Sequence, residues 1–225
     1  MRVKILNLIA VLNAAAEILF IIFALPQTVA VHFGFAMNVD RVGSKWSLII
    51  LPIIPIIISV IFAIYRKTTK TKEEVQKNIN IENEVVPMIF GVLVVMTWLF
   101  LTLSVVCEPV IGAKANIPIP SILVILMGIM MLVMSNFYGK IKQNKTFGIR
   151  LPWTLNNEQV WNKTHRFAGY VGIGASLLMI VFGILCLVLK NNTFAIVGII
   201  LGVALQVIPA TIYAYLLDKK LKKDN

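Results

Sequence analysis

Residues 167–189, FAGYVGIGASLLMIVFGILCLVL, and 193–217, TFAIVGIILGVALQVIPATIYAYLL, decide the fold class. Neither run contains a charged residue, and only Lys190, Asn191 and Asn192 separate them. A bilayer core is about 30 Å thick, so a helix rising about 1.5 Å per residue needs roughly 20 apolar residues to cross it. Both runs meet that length. Working outward, the same criterion marks four more spans, over 5–25, 46–65, 85–107 and 119–138, and all but the first are free of charge. The chain therefore reads as an all-α, polytopic integral membrane protein with six transmembrane helices. An even number of spans puts both termini on one side.

Composition points the same way. Of 225 residues, 59% are hydrophobic and only 14% charged, and the mean hydropathy is +0.88, which excludes an ordinary soluble domain. The formal charge of +11 comes from 21 Lys and Arg against 10 Asp and Glu. A nucleic-acid binder would carry such charge on a soluble basic face with groove-reading or stacking elements. Here the charges lie in short clusters between apolar runs, so no direct nucleic-acid binding is expected.

The cations instead report orientation, because cytoplasmic loops keep an excess of Lys and Arg. Seventeen of the 21 fall in the amino terminus (Arg2, Lys4), the second loop (Arg66, Lys67, Lys70, Lys72, Lys77), the fourth loop (Lys140, Lys142, Lys145, Arg150, Lys163, Arg166) and the tail (Lys219, Lys220, Lys222, Lys223). Only Arg41, Lys45, Lys114 and Lys190 fall on the opposite face. Both termini and loops two and four are accordingly expected in the cytoplasm. Arg2, Lys4 and the Ala14-x-Ala16 triplet have the elements of a cleaved signal peptide. The apolar run continues from Ile18 to Leu25, however, which makes it long enough to span. The expected organisation is a two-span module over 1–65 with an external loop over 26–45, a charged cytoplasmic loop over 66–84, and a four-span region over 85–225 with a cytoplasmic loop over 139–166.

Several residues interrupt the apolar pattern. Pro52 and Pro55 each remove a helix donor, so a kink or local unwinding is expected in the second span. Gly198 and Gly202, followed at the same spacing by Gln206 and Ala210, form a stripe of small residues, as do Ala168, Gly172 and Ser176 in the fifth span; such stripes let the last two helices pack closely. Glu17 is the one ionisable residue deep within a span, where an acid costs a few kcal/mol on the insertion scale. Asn13 lies one turn earlier on the same face. Hydrogen bonding to Asn13 or Gln206 gives Glu17 a structural role, whereas exposure to a cavity gives it one in proton or cation handling.

No HExxH, GxSxG or GxxxxGK[ST] motif occurs, so zinc-peptidase, serine-hydrolase and P-loop readings lack local support. Glu73 and Glu74 form an acidic doublet within a hydrophilic, Lys-rich connector. His32 and His165 fall in loops on opposite sides in the expected topology, so no shared metal site is expected, and nothing calls for a cofactor. Cys107 and Cys186 sit in apolar surroundings, which suits buried free thiols. Two loops are denser than connectors require. The first, PQTVAVHFGFAMNVDRVGSKW, suits a compact, turn-rich cap. The other, NKTFGIRLPWTLNNEQVWNKTHR over 144–166, carries paired tryptophans beside basic residues, which also suits simple anchoring at the membrane surface. If Asn156 or Asn157 caps a short helix there, Trp161 and His165 fall four apart on one face.

Residues 148–169, GIRLPWTLNNEQVWNKTHRFAG, resemble the signature of the bacterial SdpI immunity-protein family, a GIRTPWTL segment followed by a Trp and a THR triplet. The matching positions are Gly148, Arg150, Pro152, Trp153, Thr154, Trp161, Thr164, His165 and Arg166. Leu151 stands where the family usually has Thr. The amino-terminal third is similar to the membrane module that often precedes this signature, through Leu25-Pro26, His32, Gly34, Asp40 and Gly43-Ser44-Lys45. The resemblance implies a protein of the bacterial cytoplasmic membrane that protects against a secreted killing-factor peptide, and a sensor that, when loaded with toxin, holds a soluble ArsR-type autorepressor at the membrane. It further implies that His32, Asp40, Arg41 and Lys45 face the toxin, while the cytoplasmic motif faces the regulator or couples to it. Membrane lipids are the remaining partners expected.

Three function classes follow. The first is non-enzymatic immunity and signalling. A small transporter or lipid-handling protein would use Glu17 and the Pro52/Pro55 break. An intramembrane enzyme would have to draw on Glu17, Glu108, Arg150 and His165, which the expected topology scatters over different depths.

Overall fold

The computed structural model describes residues 3–34, 37–69, 73–114 and 117–223. Arg2, Lys70 and Lys72 of the charge count, and Phe35 and Ala36 of the first loop, lie outside the described residues. Among the described residues, six helices are long and apolar enough to cross a membrane. They are α1 (Val3–Phe23), α2 (Ile50–Thr69), α4 (Ile79–Val106), α5 (Ile119–Tyr138), α7 (Glu158–Leu189) and α8 (Thr193–Leu221), with two short helices, α3 (Glu73–Gln76) and α6 (Pro152–Asn156), between them. Many large apolar side chains point outward, among them Ile61, Val188 and Ile200, each about 60% or more exposed. Lipid tails solvate such a surface, and water does not.

The chain forms two compact units: Met1–Thr69 with Val86–Ile119, and Lys70–Val85 with Pro120–Asn225. The boundary falls within α4, so the third span groups with the amino-terminal residues rather than with the spans that follow.

In the first unit, the loop expected as a turn-rich cap is a β-hairpin. Strands β1 (Thr28–Phe33) and β2 (Val39–Ser44) pair antiparallel, with Thr28 opposite Ser44 and His32 opposite Arg41, and with irregularities around Val31 and His32. β-Branched residues recur through VAV and VDRV, as a pleated, half-buried surface prefers. The loop after α4 continues the pairing: Val39 N–H donates to Ala113 O at 2.8 Å and Gly112 N–H to Val39 O at 2.7 Å. Gly112 makes this possible at φ +89°. Val29 and Val39 are fully buried, and Val29 joins a core with Ile21, Leu25, Leu48 and Leu101.

The hairpin leads through a 3₁₀ turn (Lys45–Ile49), capped by the Ser44 side chain, into α2. This helix is continuous from Ile50 to Thr69. Pro52 occupies its first turn, where no intrahelical donor is required, so Pro55 alone of the pair removes an interior bond. Pro52, Pro55 and Ser59 are buried along one face. The two prolines therefore start and pack the helix without interrupting it.

In the second unit, the expected stripes are the packing surfaces. The buried positions of α8 include Gly198, Gly202, Gln206, Ala210, Ala214 and Asp218, one every four residues. A Cβ on Gly198 would lie 2.6 Å from Phe182 Cβ, and one on Gly202 would meet the Met179 side chain, so these glycines make room for α7 side chains against α8. Glycines also set the α5–α7 contact. A Cβ on Gly183 would sit 2.6 Å from Ile125 Cγ1 and 3.2 Å from its backbone nitrogen. Gly183→Leu should therefore destabilise the purified protein by about 1–3 kcal/mol, as overpacking does. Gly174→Leu, where a Cβ meets nothing within 4 Å, should leave thermal unfolding in detergent unchanged.

Candidate functional site

The stretch from α5 to α7 folds into a compact knot around one side-chain pair. Asn157 caps α7 by accepting from Gln159 N and Val160 N, as a short polar side chain does at a helix start. The helix does not stop after the motif. It runs unbroken from Glu158 into the fifth span, so Trp161 and His165 extend a membrane helix by two turns. Four residues apart, their rings stack with centroids 4.1 Å apart and planes at 22°. Both are buried.

Each ring is also held by backbone. Trp161 Nε1 donates to Ile141 O at 2.8 Å. His165 Nδ1 lies 2.9 Å from Trp161 O, and Ile149 N–H donates to His165 Nε2 at 2.9 Å. A carbonyl only accepts and an amide only donates, so Nδ1 carries the proton and Nε2 is bare. The imidazole is thus neutral in this arrangement, and it fixes the entry of the GIRLPW segment. Gly148 passes directly over the pair with φ +107°, and a Cβ there would fall 2.6 Å from His165 Nε2 and 3.1 Å from the Trp161 ring.

The rest of the motif supports this crossing. Thr154 Oγ1 donates to Ile149 O at 2.6 Å and accepts from Leu151 N at 2.9 Å, closing the turn into α6, where Pro152 takes a first-turn position that needs no donor. Trp153 packs edge-on against Tyr215 at 5.3 Å. Thr164 is buried, and its hydroxyl has no partner among the described residues. Arg150, whose guanidinium donates to Lys145 O, is exposed, and so are Pro152 and Arg166. The motif therefore divides into a buried set that shapes the knot and an exposed set that the knot presents.

Three residues outside the motif complete it, and sequence reading missed them. Asn144 Oδ1 accepts from Thr146 N and Phe147 N at 2.8 and 2.9 Å, a local Asx turn that its place at a loop start signals. Asn78 exchanges two bonds with the Lys142 backbone, at 2.8 and 3.0 Å, and Gln143 Nε2 donates to Thr154 O and Leu155 O at 2.7 and 3.0 Å. Those long-range partners leave no local pattern.

In the first unit, His32 Nδ1 and Asp40 Oδ1 are 2.7 Å apart across the hairpin, both well exposed, and Arg41 is exposed beside them. Lys45 is placed differently. It is 6% exposed, and its ammonium donates to Ile22 O at 2.8 Å and Leu25 O at 3.2 Å. A cation there satisfies carbonyls left open at the α1 carboxyl end.

Glu17 is fully buried. Its Oε1 accepts from Asn13 Nδ2 at 2.9 Å and Thr97 Oγ1 at 2.6 Å, while Trp98 Nε1 donates to Asn13 Oδ1 at 2.9 Å. Of the two partners expected for Glu17, Asn13 is the one it uses. Gln206 belongs to the second unit and packs against Gly172. Glu17 and Glu108 lie in one compact unit, Arg150 and His165 in the other. Cys107 and Cys186 are buried, free thiols.

Residues 140–211 match the SdpI/YfhL protein family, and residues 8–64 match a domain of unknown function, DUF1648. The first match covers the motif loop, α7 and most of α8, and the second covers most of α1, the hairpin and most of α2. It is similar to Immunity protein SdpI of Bacillus subtilis (strain 168), with 24% identity over 223 residues, 98% of either chain. No solved structure matches the chain. With its six apolar spans, it is a multi-pass bacterial membrane protein.

Two substitutions test these geometries. Gly148→Ala forces a side chain into a positive-φ position worth about 1–3 kcal/mol of strain, and the Ile149 amide should exchange its hydrogen faster as the knot loosens. Lys45→Met should lower stability by about 1.5–3 kcal/mol, the range for hydrogen bonds to charged groups, whereas Arg41→Gln on the exposed strand should leave the melting temperature where it is.

Proposed function

We propose that this chain is a non-enzymatic immunity protein of the bacterial cytoplasmic membrane, protecting the cell that makes it from a secreted, membrane-active peptide toxin. The observation that carries the reading is the similarity to Immunity protein SdpI over 98% of both chains. The folded motif supports it. A Trp161–His165 core of this kind holds a surface in shape and offers no nucleophile with an aligned base.

In this reading the Lys- and Arg-rich segments, and hence both termini and the motif loop, face the cytoplasm. The hairpin faces outward and presents His32, Asp40 and Arg41 to the toxin. Lys45 serves the hairpin from beneath, by capping α1. On the cytoplasmic side, Arg150 and Trp153 belong to the surface that meets a soluble ArsR-type repressor once toxin is bound. A cleft of about 290 Å³ lined by Pro152, Trp153, Asn156 and Asp218 gives that surface relief. The two hydrogen bonds that Glu17 Oε1 accepts favour a structural role for it over transport, although its Oε2 is buried with no partner among the described residues.

Expression of this chain in a toxin-sensitive bacterium should raise survival against killing-factor peptides. Arg150→Ala, an exposed change, should insert normally yet lose protection, repressor recruitment or both. Unchanged survival with the wild-type chain across a panel of such peptides overturns the reading, and full activity of Arg150→Ala in both assays removes the motif's assigned part.

A further inference from the structure

We propose that the cavity between the carboxyl end of α5 and the early turns of α7 is a binding site for the headgroup of an anionic phospholipid. The cavity, about 360 Å³, is lined by Ser135, Lys140, Arg166, Gly169, Tyr170 and Ile173 among others, and no carboxylate lines it. Two observations set its chemistry. Among the described residues neither cation has an ion-pair partner: Lys140 lies over the Phe137 ring, 5.5 Å from its centroid, and Arg166 is exposed. The second is depth. Lys140 follows the last residue of α5 by two positions, and Arg166 immediately precedes the uncharged run that begins at Phe167. Both cations therefore stand where a span emerges from hydrocarbon, at the level of lipid phosphates.

The walls suit a lipid better than a free anion. Gly169 brings α7 so close to α5 that a Cβ there would lie 3.0 Å from Ser135 O, and both residues line the cavity. Tyr170, 64% exposed, flanks the opening with an aromatic ring of the kind that settles at the membrane interface. Ile173, one helical turn deeper, lies where the first acyl carbons would run. A planar guanidinium and a mobile ammonium on one phosphate form a strong, charge-assisted pair. The site is independent of the immunity reading, since it uses neither the hairpin nor Arg150.

The test uses the full chain purified in mild detergent and observed by native mass spectrometry with phosphatidylglycerol, cardiolipin or phosphatidylcholine added. Wild type should retain the anionic lipids over phosphatidylcholine, and Lys140→Gln with Arg166→Gln should weaken that retention about thirty-fold, as removal of two interfacial cations does. Lys142→Gln with Lys163→Gln removes the same charge from exposed positions outside the cavity and should leave retention intact. Equal retention by wild type and the cavity variant overturns the proposal. So does equal loss in the control pair, which would mean general attraction, or displacement of the lipid by millimolar inorganic phosphate, which would mean a site for the free anion.

Discussion

Inside a bilayer no water satisfies a bare amide or carbonyl, so every backbone group of a crossing segment must find its partner within the protein. The whole architecture follows from that requirement. It makes each apolar run a helix, confines the β-hairpin to a connector, and leaves glycine and small residues as the means by which helices touch. It also explains why helix ends are handled with care. Lys45 reaches back to Ile22 O and Leu25 O, Asn157 closes the start of α7, and Gln143 takes the last carbonyls of α6.

Much of this was legible because the period of apolar residues and the spacing of small ones are local properties. The six spans come from uninterrupted apolar runs of about 20 residues, and the glycine-led face of α8 and the Trp161–His165 pairing come from separations of about one helical turn. What escaped depends on tertiary context. The hairpin hides in a loop because its strands are short and irregular, and because a third segment around Ala113 completes their pairing. Pro52 reads as a breaker only until the start of α2 is known to fall at Ile50. Thr97 and Trp98 lie some 80 residues from Glu17 and Asn13, a distance no spacing rule covers.

Two of the buried titratable side chains, Glu17 and His165, show how differently a membrane protein holds polar groups. Glu17 sits within a span, and its donors come from its own helix and from α4. That arrangement ties two helices of one unit by a bond that hydrocarbon cannot contest. His165 lies where a helix leaves the apolar zone, and it binds the backbone of a loop. Its tautomer is set by a carbonyl on one side and an amide on the other, so a second proton would have to displace Ile149 N–H from Nε2. Glu17 joins helices, and His165 gives a loop its shape.

That distinction bears on what the motif means. A run of recurring residues invites the assumption that all of them meet a partner, yet Gly148, Thr154, Trp161 and His165 are bound to one another or to nearby backbone. Gly148 is glycine because the rings of Trp161 and His165 leave no room for a Cβ, and Thr154 is threonine because one hydroxyl must serve both Ile149 and Leu151. Selection for folding alone is enough to fix these four. It accounts less for Arg150, whose exposed guanidinium reaches only Lys145 O among the described residues, and for Arg166, which is exposed. An exposed guanidinium adds little to stability, so its presence in the signature needs a reason outside the fold. The two arginines invite separate readings: Arg150 stands on the loop between α5 and α6, where the proposed soluble partner would meet it, and Arg166 stands just before the uncharged run of α7, where the proposed lipid headgroup would lie.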